Sequence, residues 1–292
     1  MLSITLKIIK DIRNSLLILI LSPGLAYADR DITNFTFKPS VAYKKEHKSY
    51  YIVDSESGEP VIGKKSYKFI AVPFDCGSDD PSDGSRYTDC GTKFDQFGNG
   101  GDRVRSELSG KPRLYSNNYW LSFSVYLPDD YVNISPTVTS FFQVYSGSKN
   151  GPNIKIEDRW GTVILDRQYK YRTVREHRLI SIEEMKGKWT HFKINAIFSD
   201  KKDKGFIKIW VNNELKVDAK GITAAGPVGK GHYIKAGLYQ TGITRYLRVI
   251  GESTDWKKGQ EAGKFPTQII YMDNIFKANS EEKLEELIKK AS

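Results

Sequence analysis

From Ser49 onward the chain is a run of short segments rich in Val, Ile, Phe, Tyr and Trp, each cut off by a cluster of Gly, Asn, Asp or Pro. β-Branched and aromatic residues fit a pleated, half-buried surface, and turn formers at this spacing leave no room for the helices of βαβ units. The pattern predicts an all-β sandwich with strands at 50–54, 65–72, 103–109, 119–127, 139–146, 162–167, 189–198, 205–211, 233–240, 244–249 and 268–276. Only the tail reads as a helix. Ser280 can cap it, Leu284, Leu287 and Ile288 form an apolar stripe, and Glu281 and Glu282 at its start and Lys289 and Lys290 at its end match the helix dipole. No linker or internal repeat divides the chain, so 29–292 is expected to be one domain.

Successive side chains of a strand point to opposite faces of its sheet, which makes the alternation informative about function as well as fold. Placing Val104 and Leu108 against a core puts Arg103, Arg105 and Glu107 together on the other face. Placing Phe142 and Val144 inside puts Gln143 and Tyr145 outside. The same parity makes Ile234, Ala236 and Leu238 core residues and turns Tyr233, Lys235 and Tyr239 outward. If these strands are neighbours, they form a basic, aromatic surface suited to a polyanionic sugar chain.

The rest of the sequence narrows the partner. Residues 1–28 read as a signal peptide, with Lys7, Lys10 and Arg13 at a positive start, an apolar run at 15–21, and Ala26-Tyr27-Ala28 as a small-x-small cleavage site. The apolar run falls short of the ~20 residues a spanning helix needs, so a secreted or periplasmic protein with no membrane attachment after cleavage is expected. Formal net charge is +10, and +8 of it lies beyond residue 28. Such an excess favours a polyanion. Export argues against nucleic acid, and the basic residues are spread along strands instead of gathered in one arm, which points to an acidic polysaccharide.

In an exported chain Cys76 and Cys90 are expected to pair as a disulfide, worth ~3 kcal/mol for a loop of this length. Asp79, Asp80, Asp83 and Asp89 lie in or beside that loop. Their number would suit calcium, but their spacing is not that of a calcium loop, and a solvated turn is the simpler reading. No metal and no cofactor is expected, and the protein is read as a monomer.

Breaking a bond 4-linked to a uronic acid by β-elimination requires neutralising the carboxylate, a base for the α-proton and an acid for the leaving oxygen. Arg105 matches a carboxylate bidentately and Gln143 can donate a hydrogen bond that strengthens as the enolate forms. Tyr239 is a phenol with Lys235 and Arg105 as neighbouring cations, and Glu107 can orient Arg105. Each residue also has a structural reading, as an ion pair on a solvated face or a half-buried aromatic.

The segments Arg103-Val-Arg-Ser-Glu-Leu, Gln143-Val-Tyr145 and Tyr233-Ile-Lys-Ala-Gly-Leu-Tyr239, in that order, resemble three signature strands of the jelly-roll polysaccharide lyases, the alginate lyase, glucuronan lyase and heparin lyase I group. Trp210-Val-Asn-Asn-Glu is similar to that group's tryptophan-x-asparagine-glycine hairpin, and Ile270-Tyr-Met-Asp-Asn-Ile275 to its final strand. The resemblance implies a concanavalin-like β-jelly roll of two antiparallel sheets and a lyase acting on glucuronan, alginate or a heparin-like chain. It assigns Arg105 and Gln143 to the carboxylate and Tyr239 to the acid, with Arg103, Glu107, Lys235, Tyr233 and His191 as substrate-binding candidates.

One position departs from the group. Tyr145 stands where many members carry a histidine that serves as the base. Tyr145 can take that part, Tyr239 can act as both base and acid, or His191 or His177 can enter the cleft; a non-catalytic carbohydrate-binding protein of the same fold is the alternative. His232 shares the parity of core residue Ile234. Trp120, Trp160 and Trp210 can stack on sugar rings or fill the core. A hydrolase of the related laminarinase fold is disfavoured, because no Glu-x-Asp-x-x-Glu strand is present.

Overall fold

Alternation converts directly into two layers. The structure, a computed structural model, describes residues 31–40, 49–72, 103–111, 113–115, 117–146, 151–169, 172–226, 231–252 and 264–292. Residues 1–28, expected to be a signal peptide, and Cys76, Cys90 and the aspartates beside them lie outside the described residues. The strands are β1 (Thr36–Pro39), β2 (Tyr50–Asp54), β3 (Lys65–Ala71), β4 (Arg103–Lys111), β5 (Asn118–Tyr126), β6 (Val138–Tyr145), β7 (Pro152–Arg159), β8 (Thr162–Tyr169), β9 (Arg172–Ser181), β10 (Trp189–Ile197), β11 (Phe206–Val211), β12 (Glu214–Lys220), β13 (Tyr233–Thr241) and β14 (Gln268–Ala278). Helices α1 (Ile182–Met185), α2 (Ile243–Val249) and α3 (Glu281–Ala291) complete the set.

The strands form two seven-stranded antiparallel sheets. One, the cleft sheet, runs β1-β4-β13-β6-β7-β8-β9, and the other, the back sheet, runs β12-β11-β10-β5-β14-β3-β2. This is the expected jelly-roll sandwich. Its centre is an aromatic stack across the two layers, where Phe123 of β5 lies 4.4 Å from Phe142 of β6 and 4.7 Å from Phe192 of β10. All three rings are buried, each contributing ~1.5–3 kcal/mol by removal from water. Val104, Leu108, Val144, Ile234, Ala236 and Leu238 are buried in this core, as their parity requires.

Helix α3 is capped by Ser280, whose hydroxyl accepts from the Lys283 N–H at 3.2 Å, and it buries Leu284 on the outside of the back sheet. Leu287 and Ile288 are only partly buried there.

Four strands and α1 escape the apolar pattern, and one expected strand is a helix. β9 carries so many charges that its alternation is hidden, and β7 alternates clearly only over the four residues Ile154 to Glu157. β12 is an edge strand, where charge guards unpaired backbone. At 244–249 the expected strand is α2: Gly242, with φ 80°, turns the chain out of β13, and Ile243 and Leu247, four residues apart, are the pair that is buried. In so short a segment periods of two and of 3.6 are hard to tell apart.

One buried acid sits at the end of β7. Asp158 faces the core, accepts hydrogen bonds from the Gly161 backbone and from Asn133 Nδ2 at 3.1 Å, and lies near the buried phenol of Tyr131. Burial, reinforced by the neighbouring Glu157, pushes its pKa from 3.8 up to about 7. Folded protein therefore holds this proton more tightly than the unfolded chain, and between about pH 4 and 7 the contribution of Asp158 to stability falls as pH rises. Buried His232, drawn down to about 4, acts in the opposite direction below its ordinary value, so only a comparison isolates Asp158. Asp158→Asn is expected to be more stable than wild type at pH 8, by roughly 4 kcal/mol at most, and to lose that advantage as pH falls to 4. Urea denaturation across this range checks it; a gap that does not change with pH would contradict the assignment.

Candidate active site

The order β4-β13-β6 makes neighbours of the three informative strands and sets their outward residues into rows. Tyr239 pairs with Arg105 on one side and Ser140 on the other. Lys235 pairs with Ser109 and Gln143, and Tyr233 with Tyr145. Between the first two rows Gly237 pairs with Glu107 and sends no side chain into the cleft. Glycine is required here. At φ 124° an added Cβ would stand 2.3 Å from the Ser106 carbonyl oxygen and 2.9 Å from Phe69. A register shift between Ala236 and Tyr239 follows, and it places Tyr239 opposite Ser140 of β6.

Glu107 is the hub of the site. Its side chain is 2% exposed, Gln143 Nε2 donates to one carboxylate oxygen at 2.6 Å, and Lys235 Nζ donates to the other at 2.8 Å. Lys235 also reaches Ser40 Oγ at 2.9 Å. Arg105 is less tightly held by this carboxylate, with Nη1 at 4.0 Å, and its guanidinium carbon lies 4.9 Å from the centre of the Tyr239 ring. Glu107 thus orients Gln143 and Lys235 more than Arg105. Its oxygens are occupied and buried, so it positions the groups around it in place of the substrate contact expected of it.

The remaining candidates divide. Tyr145 and Tyr233 pack at a tilt with centroids 5.5 Å apart, and Lys235 Nζ lies 5.4 Å from the Tyr145 ring centre. This pair stands one row beyond Gln143, on the side away from Tyr239. Arg103 is at the opposite end, paired with Thr241.

His191 is not in the cleft. It belongs to β10 of the back sheet, on the outward side opposite buried Phe192, where its Nδ1 is 2.8 Å from Ser124 Oγ. Parity put it correctly beside Trp189 and Lys193, but that face is turned away from the cleft sheet. His177 of β9 pairs with core residue Leu165, and burial with nearby Arg167 and Arg175 lowers its pKa. His232 is fully buried and accepts from Asn153 at 2.9 Å, as its parity with Ile234 foretold. Among the described residues no histidine lines the cleft; the fourth, His47, lies outside them.

Trp120 and Trp210 stack on each other at 5.6 Å on the outside of the back sheet, with Lys193 over both rings and paired to Glu281 and Glu285 of α3. Neither faces the cleft.

β7 and β8 extend the cleft floor with groups the sequence reading missed. Lys155, beside Gln143, is 2.7 Å from Glu157 and 3.2 Å from Asp166. Arg159 contacts the same two carboxylates at 2.8 and 3.0 Å, and Glu176 as well. Ser140 Oγ donates to Glu157 at 2.8 Å, which joins this lattice to the Tyr239 row. The signal was present as Ile154-Lys155-Ile156-Glu157, which alternates like the other three strands. Among the described residues no group of three or more side chains is arranged to hold a metal ion.

Comparison with known proteins agrees with the geometry. No curated protein sequence matches the chain. Among solved structures it is similar to the endo-β-1,4-glucuronan lyase of the fungus Trichoderma reesei, at 12% identity and a TM-score of 0.50, over 81% of this chain and 92% of that one. It is also similar to a variant of alginate lyase A1-II′, at 11% identity and a TM-score of 0.50, over 89% of this chain and all of the other. At such identities the likeness is one of fold. The sequence model of the family described as polysaccharide lyase matches residues 46–276, most of the chain and all three cleft strands, and the protein belongs to that polysaccharide lyase family.

Proposed function

We propose that the cleft binds a 4-linked uronic acid polymer and cleaves it by β-elimination, with Arg105 and Gln143 on the carboxylate and Tyr239 as both base and acid. The observation that carries this reading is the placement of Arg105, Gln143 and Tyr239 around the side-chain-free floor at Gly237, with Glu107 holding the amide in place. The guanidinium and the amide N–H draw electron density from the carboxylate, so the C5 proton becomes acidic. Tyr239, as phenolate, takes that proton. Electrons of the C5–H bond form the C4–C5 double bond, the C4–O4 bond breaks, and the now neutral phenol passes its proton to O4. Tyr145, paired with Tyr233 six residues before Tyr239 and ~20 Å along the strand, is better placed to hold a neighbouring sugar. Residues 1–28 are read as the export signal that brings the enzyme to such a polymer, and the net charge of +8 beyond them draws a polyanion toward it.

Tyr239→Phe keeps the ring and its packing on Arg105 while removing the oxygen that moves the proton. Turnover, followed as ultraviolet absorbance of the unsaturated product, is expected to fall ~100-fold to 10,000-fold. Uronan affinity by calorimetry should stay near wild type and stability should change by less than ~1.5 kcal/mol. Full turnover in this variant would remove Tyr239 from the chemistry, and joint loss of binding and stability would make it a packing residue.

A single phenol working at both ends needs the C5 hydrogen and O4 on the same face of the ring. Glucuronate and mannuronate meet this requirement; guluronate and galacturonate do not. Polyglucuronate or polymannuronate is therefore expected to be cleaved while polyguluronate and polygalacturonate are spared, and His47→Ala should keep turnover. Cleavage of the second pair of polymers, or loss of activity in His47→Ala, would transfer the base from Tyr239 to another group.

A further inference from the structure

Two residues past Tyr239, ~7 Å along β13, Thr241 pairs with Val138, and the chain then turns into α2. There the start of β6, the β7–β8 hairpin and α2 enclose an open pocket of about 510 Å³, lined by Pro136, Val138, Arg159, Trp160, Arg245 and Arg248 among others. It adjoins the cleft through Arg159, whose guanidinium is held by Glu157, Asp166 and Glu176 of the cleft floor.

The other two arginines are differently placed. Arg245 and Arg248, three residues apart on one side of α2, are both exposed, and among the described residues neither has an ion-pair partner. Trp160 is 76% exposed, far more than an indole placed for packing. It also occupies an unusual backbone position. Arg159 and Thr162 pair across a two-residue turn in which Trp160 has φ 56° and Gly161 φ 78°. Turns of this kind favour Asn-Gly, and a bulky side chain at positive φ is an outlier. The hairpin thus holds, at a strained position, an exposed flat ring beside two guanidinium groups that have no ion-pair partner among the described residues.

We propose that this pocket is an anionic-sugar subsite at the end of the cleft, in which the Trp160 indole stacks on an acidic pyranose of the bound polysaccharide while Arg245 and Arg248 take its carboxylate or sulfate ester. The proposal rests on the uronan reading of the cleft and adds a second anchoring point on the polymer. Arginine suits the task because its planar fork binds either oxyanion bidentately. A stacked ring and a paired charge together recognise a sugar that is both cyclic and acidic, so neutral polymers gain little from the pocket.

Trp160→Asn is the decisive variant, since asparagine is favoured at this turn position and a purely structural tryptophan would leave a protein that folds and binds as well as before. Affinities for polyglucuronate, alginate and heparin are measured by calorimetry on the Tyr239→Phe chain, with and without Trp160→Asn or the pair Arg245→Gln and Arg248→Gln. Each change is expected to weaken binding of at least one of the polymers about tenfold, or ~1.4 kcal/mol. The arginine pair should also flatten the salt dependence. A loss confined to heparin assigns the pocket to sulfate, and a loss shared by polyglucuronate and alginate assigns it to carboxylate. In otherwise wild-type enzyme the KM for polymer should rise more than the KM for the shortest oligosaccharide cleaved. Unchanged affinity in both variants, or equal effects on short and long substrates, overturns the subsite and leaves the lyase reading intact. A parent chain that binds none of the three polymers overturns both.

Discussion

A buried carboxylate in a sheet is costly unless each oxygen is satisfied, and Glu107 is the carboxylate around which this cleft is organised. Two of its partners, Gln143 and Lys235, come from β6 and β13, lying 36 and 128 residues away in sequence. The carboxylate therefore acts across three strands at once. With one oxygen committed to the amide and the other to the ammonium, both side chains are fixed in direction before any ligand arrives, while Arg105 stands farther from this carboxylate, at 4.0 Å. Exchange of Glu107 for an apolar residue would take the carboxylate from buried Lys235 and from Gln143 together, so the positioning of the site and the integrity of the sheet depend on the same side chain.

Backbone irregularity does the rest of the positioning. Gly237 adopts a conformation closed to other residues, and the register shift beside it aligns Tyr239 with Ser140 on β6. The phenol consequently stands in the row of Arg105. Replacing that glycine would force a Cβ into the Ser106 carbonyl, so the arrangement tolerates no simple substitution.

The cleft is not a plain basic surface. Glu107, Glu157 and Asp166 are buried in its floor, each paired with lysine or arginine. These carboxylates hold the cations at defined heights, and the lattice as a whole is close to neutral. The positive character that attracts a polyanion then comes from groups such as Arg245 and Arg248 and from the general excess of +8 beyond residue 28. Long-range attraction and local chemistry are thus carried by different residues. Such a division lets the floor stay rigid while the rim captures polymer.

Strand alternation is a local property, and what it governs was legible in the sequence: the sandwich, the inward residues of β4, β6 and β13, the shared outward face of Arg105, Glu107, Gln143, Lys235 and Tyr239, and the capped C-terminal helix. Parity even placed His232 in the core. It could not say which sheet a strand joins. His191 alternates correctly and still faces away from the cleft, because β10 pairs with β5 and β11 in the back sheet. Where both faces of a strand are polar or charged, as over much of β9, alternation loses its apolar marker and the strand goes unseen. At 243–249 the turn at Gly242 and the burial of Ile243 and Leu247 overrode a sequence that reads as extended. Adjacency of β4, β13 and β6, the grip of Glu107 on Gln143 and Lys235, and the meeting of Trp160 with Arg245 and Arg248 were decided only by the tertiary structure, since each joins residues far apart in the chain through pairings whose alternatives the local pattern does not distinguish.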